Sequence, residues 1–103
     1  MELILLSVPG CPSAGEFTQR LSVALAGQAG VVVRYRVVAD EREAADAGMR
    51  GSPTLLIDGA DPFEGSDRLA GLSCRLYRDA AGQARRAPSV QALRRVLAEA
   101  SRG

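Results

Sequence analysis

The chain contains no histidine, no lysine, no asparagine and no tryptophan. Histidine is the commonest general base and the commonest metal ligand, so its absence excludes serine–histidine, cysteine–histidine and histidine–zinc chemistry. The absence of lysine excludes Schiff-base catalysis and the lysine-dependent phosphate loop. The two cysteines, Cys11 and Cys74, are too few for a disulfide scaffold or a four-thiolate metal centre. No metal and no cofactor are therefore expected. No apolar run approaches the ~20 residues of a membrane span, so no membrane partner is expected either. The 13 basic residues nearly balance the 12 acidic ones, leaving a net charge of +1. That balance gives no electrostatic case for binding nucleic acid. The opening residues, Met1 to Leu6, carry no basic region and lead to no small-residue cleavage site. The expected compartment is cytoplasmic. All the cations are arginine, and alanine and glycine are plentiful, a bias that fits a high-GC bacterial genome.

What remains is thiol, carboxylate, hydroxyl and backbone chemistry on a small frame. The 103 residues, 47% of them apolar, suffice for one domain spanning 1–103 with one core, burying roughly 60–65% of the unfolded chain's surface. Residues 2–8 form a nearly continuous apolar run ending at Pro9-Gly10, as in a strand buried on both faces. Phe17, Leu21, Ala24 and Leu25 then recur at helical spacing, predicting a helix over 13–27, with Pro12 suited to its first turn. Residues 31–38 are rich in valine and predict a second strand, with Arg34 and Arg36 on one face and Val33, Tyr35 and Val37 on the other. Asp40 caps a short helix over 41–48. A third strand is predicted over 54–57, a loop over 59–71 and a fourth strand over 72–78. Residues 83–87 read as loop. Ser89 caps a last helix over 89–101, with Val90, Leu93, Val96 and Leu97 as its apolar stripe. The fold class expected is α/β: a mixed four-stranded sheet with helices on both faces. Its first two strands run parallel, and its last two pair antiparallel.

Cys11 lies between a strand end and a helix start, where free amide N–H groups and the positive end of the helix dipole meet. An anionic sulfur is favoured there, and it is a competent nucleophile without a histidine. The alternative is a small apolar residue in a turn. Ser52-Pro53 directly precedes the third strand. A proline there cannot donate to a ladder. A cis bond would let the chain enter the sheet at a sharp angle, the alternative being a trans proline that ends a loop.

The phrases Val8-Pro9-Gly10-Cys11-Pro12-Ser13-Ala14 and Gly51-Ser52-Pro53-Thr54-Leu55-Leu56-Ile57-Asp58-Gly59, in this element order, resemble the thioredoxin-like superfamily. The resemblance extends through the last helix. It implies a thioredoxin-like fold with Cys11 as the attacking thiol and Pro53 as a cis-proline facing it. Pro12, Ser52, Pro53 and Thr54 would then border an extended thiol substrate. It also implies a low-molecular-weight thiol, or a protein thiol or disulfide, as partner. The family's second cysteine, three residues after the first, is replaced by Ala14. The motif is therefore a degenerate Cys-Pro-Ser-Ala, and a local dithiol mechanism is lost. As an enzyme, the protein would be a monothiol oxidoreductase. Asp58 to Phe63 together with Leu72 to Tyr77 look like a small bacterial subgroup, some members of which are labelled alkylmercury lyase. Three functions follow: thiol redox or thiol transfer through one cysteine, a redox-inactive binding module, and soft-metal or organomercurial handling by two cysteines.

Cys74 joins the candidate catalytic residues as a remote resolving thiol or second soft ligand. Against this, Leu76 shares its predicted strand face and suggests that the face turns inward, where a free cysteine is inert. Arg34 and Arg36 offer either an anion site or a solvated face. Asp58 and Asp61 read as turn residues.

Overall fold

A computed structural model describes residues 1–63, 71–74, 76–78 and 81–102, with 71–74, 78 and 102 described by backbone alone. The central strand is β1 (Glu2–Ser7). It pairs in parallel with β2 (Val32–Val37) and antiparallel with β4 (Thr54–Ile57), giving the order β2-β1-β4. Strand alternation divides β1 between two apolar layers. Leu3 and Leu5 pack with Leu55 and Ile57 on one side, against Phe17, Leu21, Leu93 and Leu97 of the first and last helices. Leu6 packs with Leu56 on the other, against Val38, Ala44 and Met49. Both faces are thus covered by helix, as a continuous apolar run requires.

Helix α1 (Pro12–Ala24) begins at the expected proline and buries Phe17, Leu21 and Ala24. It closes before Gly27, because the Ala26 N–H turns back to the Val23 carbonyl at 3.2 Å, the tightening common at helix ends. In α2 (Glu41–Ala47), the Asp40 carboxylate accepts from the Glu43 N–H at 2.7 Å, and Gly48 ends the helix at φ 77°. That left-handed turn is open to glycine at no steric cost. In α3 (Val90–Arg102), the Ser89 hydroxyl accepts from the Ala92 N–H at 3.1 Å. Arg20 Nη1 donates to the Ala87 and Pro88 carbonyls at 3.1 and 3.2 Å, tying α1 to the start of α3.

The expected four-stranded sheet is replaced, among the described residues, by a three-stranded one and two short ribbons. The strand predicted over 72–78 divides into β5 (Gly71–Cys74) and β6 (Tyr77–Arg78). Among the described residues, neither pairs with β4. A short unforeseen strand, β3 (Arg50–Ser52), pairs in parallel with β5, matching Ser52 with Cys74. Pro53, which has no N–H to give a ladder, separates β3 from β4. The antiparallel pairing expected for the last strands appears instead between β6 and β7 (Ala84–Arg85), within the segment predicted as loop. The break after β5 also reverses the inside–outside assignment: Leu76 is 51% exposed and Tyr77 only 4%. Leu76 therefore gives no reason to place Cys74 on an inward face. The expected loop is described over 59–63, and residues 64–70 lie outside the described residues.

Candidate functional site

Val8-Pro9-Gly10-Cys11 makes a tight turn closed by the Cys11 N–H on the Val8 carbonyl at 3.2 Å. Proline at the second position and Gly10 at φ 70° are the residues a type II turn requires. The turn delivers Cys11 to the N-cap of α1 in extended conformation, φ −61° and ψ 116°. Its side chain makes no capping hydrogen bond, and the residue is half-buried. Pro12 follows as the first helical residue and is exposed. Ala14 sits one turn on, its N–H directed to the Cys11 carbonyl at 3.3 Å.

Val8 links this turn to the second motif. Its carbonyl holds Cys11, while its N–H donates to Ser52 Oγ at 3.1 Å. The Ser52–Pro53 bond is cis. Thr54 secures the same segment from the other side. Its hydroxyl donates to the Gly51 carbonyl at 2.6 Å and accepts from the Arg50 N–H at 3.2 Å. The Pro53 carbonyl accepts from the Tyr77 hydroxyl. The Tyr77 ring is in turn held edge-on by Phe17 and Phe63, at centroid distances of 5.7 and 5.3 Å. Three of the chain's four aromatic side chains thus converge behind the proline.

The structure joins Cys11 to Ser52 through two successive hydrogen bonds at Val8, and Pro53 and Thr54 follow Ser52 in the chain. It brings the backbone of Cys74 into register beside Ser52. The four residues read as a substrate border divide: Pro12 is exposed, whereas Ser52, Pro53 and Thr54 are buried. These three therefore make little surface of their own. Asp61 Oδ1 accepts from the Phe63 N–H at 2.9 Å, a turn role, whereas Asp58 Oδ1 accepts from the Glu2 N–H at 2.8 Å and ties the end of β4 to the start of β1. Among the described residues, no group of three or more cysteine and carboxylate side chains is placed to hold a metal ion. A 290 Å³ cleft lies apart from the Cys11 turn, lined by Pro62, Phe63, Arg95, Val96 and Glu99 among others.

Two contributors escaped the sequence reading. Val8 acts through its backbone, which side-chain chemistry does not reveal. Tyr77 was legible in part, since a tyrosine in an apolar run needs a polar partner for its hydroxyl once buried.

The chain matches no family model, no curated protein and no solved structure. Among the described residues, no helix is long and apolar enough to cross a membrane.

Proposed function

We propose that this is a thioredoxin-like protein that exchanges thiols through Cys11 alone. The observation that carries the reading is the placement of Cys11 at the N-cap of α1, half-buried, its thiol uncommitted to capping, in a turn whose Val8 also bonds Ser52. The nucleophilic form of a cysteine is its thiolate. The thiolate attacks one sulfur of a small mixed disulfide. The Cys11 Sγ–S bond forms, the substrate S–S bond breaks, and the leaving thiolate takes a proton from water. A second low-molecular-weight thiol, as thiolate, then attacks the Cys11 adduct. It leaves as a new disulfide and returns Cys11 to the thiolate. The number of disulfides is unchanged, so no further oxidant is needed. Ala14 supplies no neighbouring thiol, so resolution falls to that external thiol. The test is turnover of a glutathione-type mixed disulfide with excess small thiol, on wild type and Cys11→Ser. Loss of turnover in the variant supports the proposal, and equal rates end it.

A second reading gives the resolving step to Cys74, favoured by the register that sets its backbone beside Ser52. In this version Cys74 as thiolate attacks the Cys11 adduct, forming a Cys11–Cys74 disulfide and expelling the small thiol. Mass mapping of the oxidised protein distinguishes the two. An internal disulfide assigns resolution to Cys74, and an adduct that persists on Cys11 assigns it to the external thiol.

A further inference from the structure

Five large apolar side chains are prominently exposed among the described residues, and three of them, Val32, Tyr35 and Val37, lie on β2. Strand β2 is also the outer strand of its sheet. Which backbone groups face outward follows from the ladder. The N–H of Val32 donates to the Met1 carbonyl at 3.1 Å and that of Val38 to the Ser7 carbonyl at 2.8 Å. Even-numbered residues of β2 therefore turn their backbone groups toward β1, and alternation turns those of Val33, Tyr35 and Val37 away from it. Among the described residues, no strand pairs with that side.

Proteins commonly blunt such an edge with charge or a proline. Here two arginines, Arg34 and Arg36, stand on one face of the strand, and Tyr35 and Val37 stand exposed on the other. Among the described residues, Glu2 is the one acidic group in an ion pair with them, with an oxygen 3.6 Å from Arg34 Nε, and both side chains are at least half exposed. These charges discriminate between partners. If two copies of β2 paired antiparallel about Tyr35, each Arg34 would oppose an Arg36, and like charges directly across a ladder are destabilising. A strand with acidic residues at those positions would gain where a second copy loses.

We propose that the outer edge of β2 is a docking site for an extended acidic peptide, added antiparallel as a further strand. Its backbone pairs with Val33, Tyr35 and Val37. Its carboxylates face Arg34 and Arg36, and its alternate apolar side chains cover Tyr35 and Val37. This mode draws affinity from main-chain hydrogen bonds and selectivity from alternate side chains. The proposal does not involve Cys11.

The test uses the full chain and two short synthetic peptides, one alternating glutamate with valine and one alternating lysine with valine. Amide hydrogen exchange and amide chemical shifts are followed residue by residue. The glutamate peptide is expected to slow exchange at Val33, Tyr35 and Val37 while leaving the Cys11 turn unchanged. The lysine peptide should bind at least about five-fold more weakly, from two reversed cross-strand charge pairs. The doubly substituted R34E/R36E protein should reverse that preference. These side chains are exposed, and circular dichroism checks that the variant keeps its fold. Equal affinity for both peptides, protection elsewhere, or no binding overturns the proposal. So does concentration-dependent self-association that protects the same three amides without peptide, which would make the occupant a second copy.

Discussion

The Tyr77 hydroxyl donates to the Pro53 carbonyl across 24 positions of chain. Tyr77 is thereby the partner of the cis-proline segment, although it lies on a different ribbon from either β3 or β4. The bond is buried, and so is the ring packed between Phe17 and Phe63. Tyr77→Phe keeps the ring contacts and removes the donor. It is expected to lower unfolding free energy by about 1–3 kcal/mol, the cost of leaving a buried acceptor without a donor. Urea unfolding with an unchanged slope and a lower midpoint is the expected readout. An unchanged midpoint would show that the bond contributes nothing net.

Ser52→Ala isolates the connector. It removes the acceptor for the Val8 N–H and leaves the Cys11–Val8 turn bond in place. A loss of about 1–2 kcal/mol is expected from the stranded, part-buried donor. Hydrogen exchange at the Val8 amide should accelerate beyond the global change. Acceleration uniform across the chain would mean that Ser52 acts only through overall stability.

Cys11 should be alkylated before Cys74 in the folded protein near neutral pH. Cys11 is half-buried at a helix N-terminus, and its side chain makes no capping hydrogen bond. Peptide-resolved iodoacetamide labelling over time is the measurement. Faster labelling of Cys74 would move the nucleophile to the other end of the proposed pair.

Ala14→Cys should add an activity. Position 14 is in the first turn of α1, its N–H directed to the Cys11 carbonyl. A thiolate there would meet the Cys11 adduct at high effective concentration and release the bound thiol as an internal disulfide forms. Reduction of a protein disulfide is expected to rise in the variant and to be absent in wild type. Equal rates in the two proteins would dissociate Cys11 from disulfide chemistry.

Local pattern was sufficient for much of the frame. The valine-rich run at β2, the Asp40 and Ser89 caps and the stripe Phe17, Leu21, Ala24 depend on neighbours at most four residues away. A one-dimensional reading contains those neighbours. Its errors are equally specific. Residues 72–78 carry a partly alternating pattern, and pattern alone does not say where a strand stops. Two strands, β5 and β6, stand where one was expected, with Leu76 exposed and Tyr77 buried.

The sequence by itself determined the chemistry in reach: no imidazole, no lysine amine, one thiol at a Pro-Gly turn before a helix, and alanine where a second thiol would serve. It also determined the two-sided burial of β1, because alternate residues of one apolar run must supply both layers. Tertiary structure alone decided that Ser52 holds Val8, that Tyr77 holds Pro53 and that β5 runs beside β3 and not β4. Each of these joins groups 20 or more positions apart. Each pairs a polar group whose own segment leaves it unsatisfied, and only the packed chain determines which distant partner is within reach.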